Sequence, residues 1–162
     1  MPNPPISTTP PYNYFSKFNI FTYPKAAQEF LNSPTTKESR SFQHTTLELQ
    51  AAYAIFVKHA PPHKVTSTAR TWMKQAEYFA QGRTAPGDIV TNAMPGQSYH
   101  NYGVAFDCYP LDNKGNIVWS RDMKFWLPLE AAAKEAGLEW AGRWKTFQEF
   151  PHFQLKNLPS LK

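Results

Sequence analysis

Proline and glycine cut this chain into short pieces, and that limits its fold more than any other feature. Proline lacks the N–H that a helix interior or a central strand requires. Fifteen prolines and seven glycines are spread along 162 residues. Five of the prolines fall within residues 1–12, where a mobile or surface-draped arm is expected. Pro24 can open a short helix through Asn32, and Ser33 to Phe42 has the composition of a loop. Thr45 with Glu48 three residues on forms a capping box for a helix that must end by His59 or Ala60, because Pro61-Pro62 follows.

Lys64 to Ala69 alternates and is β-branched, which predicts a strand. Thr71 caps a helix running to Gln81, with Gly82 as its left-handed terminator. Thr84 to Gln97 carries Pro86, Gly87 and Pro95-Gly96, so a long surface loop is expected, and loops of this length are usually functional. Gly103 to Tyr109 predicts a second strand, turned back by Asp112 to Gly115 into a third over Asn116 to Trp119. A helix comes next over about Asp122 to Ala136, with Pro128 kinking it or starting its main segment, and Gly137 ends it. Strand-like sequence returns from Leu138 to Gln154. Helices set apart around a few short strands make an α+β domain. Residues 1–42 are expected to form the proline-rich arm and loop, and 43–162 the folded domain.

At this length one core buries about two-thirds of the unfolded surface, and an aromatic content of 15 % excludes disorder throughout. No apolar run nears the roughly 20 residues that span a bilayer, and the opening Met1-Pro2-Asn3-Pro4-Pro5 is unlike a secretory signal. Synthesis in the cytoplasm without a signal peptide is therefore expected. A net charge of +5 comes from scattered Lys and Arg, so no nucleic-acid partner is inferred. Cys108 is alone, which excludes an intrachain disulfide and a thiolate cluster; it reads as a buried apolar side chain.

The chemistry-bearing residues lie around the second predicted strand. There Gly103, Ala105 and Asp107 face one way, and Val104, Phe106 and Cys108 the other. The first set is small until the carboxylate, leaving space above the sheet, and His100 precedes it on a loop able to fold its imidazole back over Asp107. Near the end, Pro151 stiffens the approach to His152, with Glu149 three residues earlier. Two imidazoles, one carboxylate and a spare carboxylate match a catalytic zinc site, which keeps one position open. His44, His59 and His63 read as ordinary polar side chains.

The stretch Ser98 to Asp107 resembles the S-x-H-x-x-G-x-A-x-D motif of the zinc peptidases that include D-alanyl-D-alanine carboxypeptidases and L-alanyl-D-glutamate endopeptidases. Glu149 and His152 match the family's E-x-x-H. Gln81 to Thr84, Pro95 to Gly103, Gly142, Trp144 and Pro151 to Gln154 are similar to the L-alanyl-D-glutamate peptidases, phage endolysins among them. The likeness covers about residues 64–155, departing at Ala69, where an aromatic is frequent, and at Ala141, where a second glycine is frequent. It implies a small antiparallel sheet carrying a zinc site, flanked by helices, in the manner of hedgehog and D-Ala-D-Ala peptidase folds. It implies zinc ligands at His100, Asp107 and His152, Glu149 as catalytic base, and Arg70 at the substrate or the developing oxyanion. Ser98, Tyr99 and Trp144 are implied as substrate contacts, and Tyr102 and Trp140 are further candidates for the cleft wall. The implied substrate is a peptidoglycan stem peptide, met at the cell wall or periplasm after release, by a monomer without membrane insertion. A D-alanyl-D-alanine carboxypeptidase and a non-catalytic zinc-binding interaction domain remain the alternatives.

Overall fold

The computed structural model describes residues 7, 9–12 and 14–161. Among them the chain forms four α-helices and one four-stranded antiparallel sheet, an α+β arrangement. The helices are α1 (Lys25–Leu31), α2 (Leu47–His59), α3 (Trp72–Ala80) and α4 (Met123–Glu135). The strands are β1 (His63–Ser67), β2 (Ala105–Pro110), β3 (Leu138–Trp140) and β4 (His152–Leu155), in the spatial order β1-β2-β4-β3. No helix among the described residues is long and apolar enough to cross a membrane.

The alternation in β2 divides the two faces of the sheet. Phe106 and Cys108 are fully buried and join Phe56 of α2, Phe153 of β4 and Trp126 of α4 in the main core. Phe106 stacks on Phe153 with ring centroids 5.4 Å apart, so truncating either to alanine is expected to cost about 3–5 kcal/mol. Helices α2 and α4 supply much of the rest of this core, while a cleft opens on the Asp107 side.

Two local features differ from the sequence reading, and a third selects between its alternatives. The N-cap of α2 is Thr46, whose hydroxyl accepts from the Leu49 amide, while Thr45 donates instead to the Phe42 carbonyl. Glu48 leaves the expected capping box and binds the Thr22 amide and hydroxyl. Asn116 to Trp119 is not a strand: a single bridge joins Leu111 to Ile117. Asp112 accepts from the amides of Lys114 and Asn116, which satisfies those donors locally and ends the ladder. Pro128 sits inside α4 rather than starting it, on the exposed side where water can reach the carbonyl it leaves unpaired.

Residues 1–6, 8 and 13 of the expected arm lie outside the described residues. Parts of the arm pack against the domain. The Ser7 carbonyl accepts from the Trp72 indole. Phe18 is fully buried and stacks on Tyr102 at 4.0 Å, and the Tyr23 hydroxyl donates to the Tyr102 carbonyl. Together with Val104 these residues form a second, smaller core beneath the turn that precedes β2.

Candidate metal centre

His100 lies on a single 3-10 turn, Tyr99–Tyr102. The Ser98 hydroxyl caps this turn by accepting from the His100 amide. Gly103 ends it at φ +65, and a side chain there would meet the Thr45 backbone at 3.1 Å. Only glycine combines that conformation with that approach. The turn delivers the chain into β2 with His100 folded back over Asp107.

His152 reaches the same place through strand pairing. It is the first residue of β4 and sits directly opposite Asp107 of β2 in the antiparallel register. The Pro151 carbonyl accepts from the Cys108 amide, which holds that entry. Residues far apart in sequence thus become cross-strand neighbours.

The hydrogen bonds on the far sides of the two rings fix which nitrogens carry protons. His100 Nδ1 lies 2.7 Å from the Thr68 carbonyl, an acceptor only, so it must donate. His152 Nε2 lies 2.8 Å from Gln154 Oε1 and donates there. In the neutral rings the remaining nitrogens are therefore acceptors. Both point at one oxygen: His100 Nε2 is 3.2 Å and His152 Nδ1 3.3 Å from Asp107 Oδ1. Candidate ligand atoms of all three residues lie within 4.8 Å of one another. Three acceptors facing inward require positive charge, either a second proton on the imidazoles or a cation.

Burial works to raise the Asp107 pKa, but the imidazoles of His100 and His152 hold the carboxyl well below its ordinary range. His152 is pushed down by burial, yet Asp107, Glu149 and Gln154 raise it on balance. The donor set fits a divalent cation taking two nitrogens and one carboxylate. The ring N–H groups held by Thr68 and Gln154 are the outer contacts that orient metal-binding histidines.

Glu149 stands beside this trio rather than within it. Its Oε2 is 3.8 Å from His152 Nδ1, and its side chain is 55 % exposed to the cleft. The cleft encloses about 980 Å³ and is lined by Arg70, Ser98, Tyr99, His100, Asp107, Trp144, Glu149 and His152. The Trp144 ring lies 5.6 Å from that of His152, with its indole N–H on Glu139. The Tyr99 hydroxyl donates to the Pro159 carbonyl. Tyr102 and Trp140 do not line the cleft. Tyr102 is buried in the second core, and Trp140 is buried in the first, with its N–H on the Phe150 carbonyl.

Arg70 is held by partners that the motifs did not reveal. Its Nε donates to Glu38 Oε2 at 2.6 Å, Nη1 to Gln75 at 2.9 Å and Nη2 to the Ser67 hydroxyl at 3.3 Å. Tyr78 donates to the other Glu38 oxygen, and its ring lies 4.8 Å from the guanidinium. Burial works to raise the Glu38 pKa, but Arg70, Tyr78 and Ser67 hold it below its ordinary value. Three of the five N–H groups of Arg70 are thereby used, leaving one on each terminal nitrogen. The Arg70 amide also donates to the His100 carbonyl, tying both functional turns together. Gln75 could have been found in the sequence: it falls three residues after Trp72 on the buried face of α3, where a polar side chain needs a partner.

Residues 91–155, which contain His100, Asp107, Glu149 and His152, match the family described as D-alanyl-D-alanine carboxypeptidase. The peptidoglycan L-alanyl-D-glutamate endopeptidase CwlK of Bacillus subtilis is 40 % identical over 100 residues. The resemblance to these peptidases holds. That match takes in 56 % of this chain and 59 % of the relative, so the chain spans less than two-thirds of the relative's length. The fold matches that of Serratia marcescens L-Ala D-Glu endopeptidase ChiX with a TM-score of 0.51, covering 87 % of this chain and 94 % of that one at 21 % identity.

Proposed function

We propose that this chain is a zinc-dependent endopeptidase that cleaves peptidoglycan stem peptides at the L-Ala–D-Glu bond. The observation that carries this reading is the convergence of three acceptor atoms on one point in a cleft that also holds an outlying carboxylate. His100, Asp107 and His152 would hold the ion. Zinc bound there would supply Lewis acidity toward the scissile carbonyl and acidify a water. Glu149, exposed and outside the trio, takes a proton on its carboxylate and returns it to the departing amine. Arg70, fixed by Glu38 and Gln75, presents its spare N–H groups to negative charge developing on the substrate carbonyl oxygen. Ser98, Tyr99 and Trp144 line the path of the peptide.

The match to an enzyme named for the L-alanyl-D-glutamate bond favours endopeptidase over carboxypeptidase action. A cleft-facing Glu149 favours an enzyme over a binding domain. In this reading residues 43–162 form the catalytic domain, and the protein works as a monomeric endolysin-type enzyme at the cell wall. The test is mass spectrometry of peptidoglycan digested by the zinc-loaded chain. Fragments ending in L-Ala and beginning with D-Glu are expected. Release of terminal D-alanine alone would select the carboxypeptidase, and unchanged hydrolysis after thorough metal stripping would remove the zinc reading.

A further inference from the structure

Two cations line the cleft, Arg70 and Arg121, and they differ in how far their hydrogen bonds are already committed. Arg70 is anchored on Glu38, Gln75 and Ser67. Arg121 takes no hydrogen bond or ion pair among the described residues; its guanidinium lies over the Phe150 ring, 4.6 Å from the centroid. That ring contact uses none of the guanidinium's N–H groups. Phe150 directly follows Glu149 in the chain, and Arg121, Phe150 and Glu149 line the same side of the approach to the cleft as far as this ring contact and their shared lining go. Trp119, two residues earlier, packs against Tyr109 at 4.9 Å, and Tyr109 shares the β2 face with Asp107.

The proposed substrate carries an anion on that side. D-glutamate in a stem peptide continues through its γ-carboxyl, leaving the α-carboxylate free on the carbon that bears the scissile nitrogen. Glu149 must come close to that nitrogen to protonate it. The substrate carboxylate is thereby brought near Glu149 and Asp107, the two acidic side chains of the cleft. Repulsion would oppose binding there unless a cation intervened, and Arg121 is the cation with its fork uncommitted.

We propose that Arg121 is a specificity-determining residue that binds the free α-carboxylate of the D-glutamate on the leaving-group side. This rests on the endopeptidase reading above. The full zinc-loaded chain is assayed on two synthetic peptides, N-acetyl-L-Ala-γ-D-Glu-L-Lys-D-Ala and the same peptide with the α-carboxylate amidated. Wild type is expected to favour the acid by about tenfold in kcat/KM, the size of one charge-assisted hydrogen bond in a partly solvated site. In Arg121→Gln the ratio falls to about one, mainly through a higher KM for the acid. Arg121→Lys keeps the charge without the planar fork and restores part of the preference. Thermal melting checks that the variants fold. Equal use of both peptides by wild type, or an unchanged ratio in Arg121→Gln, overturns the assignment. Hydrolysis of neither peptide by zinc-loaded wild type removes the endopeptidase reading itself, and this inference with it.

Discussion

The two walls of the cleft are built on opposite terms. On the Arg70 wall each charge already has its complement: guanidinium against Glu38, Glu38 against Tyr78 and Ser67, and the Gln75 carbonyl against the guanidinium. On the Asp107 wall the outer faces of both imidazoles are satisfied, while three acceptors turn inward with no donor among them. On the first wall protein atoms balance the charges and leave two Arg70 N–H groups over, so it can act as a rigid frame. The second is short of positive charge, which a further proton on the imidazoles or a cation would supply.

Breaking the second wall should have the largest effect. Asp107→Ala or His152→Ala removes a ligand, and loss of both bound zinc and measurable hydrolysis is expected, read by elemental analysis and muropeptide assay. Retention of stoichiometric zinc by either variant would contradict the assignment of the trio. Glu149→Ala separates proton transfer from metal holding. It should keep its zinc and its melting temperature while kcat falls by about 10²–10⁴-fold. Removing an outer contact sits between these and wild type. Gln154→Ala frees the His152 ring, and zinc affinity measured by competition with a chelator should weaken by about 10–100-fold.

The frame should respond in stability rather than in metal content. Glu38→Gln is expected to cost about 2 kcal/mol at neutral pH, since a charge-assisted network around a largely buried guanidinium is lost. Its sign with pH follows from the depressed carboxyl. The pKa is lower folded than unfolded, so the contribution is fully present above the unfolded value, near about 4.3. It disappears as pH falls through the folded one. Urea midpoints of wild type should therefore drop more steeply than those of Glu38→Gln as pH falls below the unfolded value. Parallel profiles would show that Glu38 is not charged against Arg70.

The two walls also differ in how far sequence alone discloses them. The candidate metal trio was legible chiefly through its likeness to a known peptidase motif, with strand alternation for Asp107 and a proline-stiffened approach to His152 as local support. The division of β2 into an apolar face and a carboxylate face follows from the same two-residue period. Glu38 was not legible, because its link to Arg70 spans 32 residues and Glu38 lies in no strand or helix, meeting the Arg70 backbone only through an isolated bridge. Consecutive threonines at 45 and 46 make the cap of α2 a choice that tertiary contact settles, since Glu48 is drawn away by Thr22. Asn116 to Trp119 carried strand propensity but found too little edge to pair with once Asp112 had taken the Asn116 amide. Local patterns report what neighbours in sequence can arrange between themselves. Partnerships across a cleft are decided elsewhere.

The stacking of Phe18 on Tyr102 bears on any attempt to cut this protein down. Tyr102 belongs to the turn that holds His100, and its underside is floored by residues well upstream of the stretch that matches known peptidases. A fragment trimmed to the matched stretch would keep every candidate ligand and still lose the foundation that aims one of them. Designers grafting this centre onto another scaffold would have to carry the aromatic floor along with the ligands.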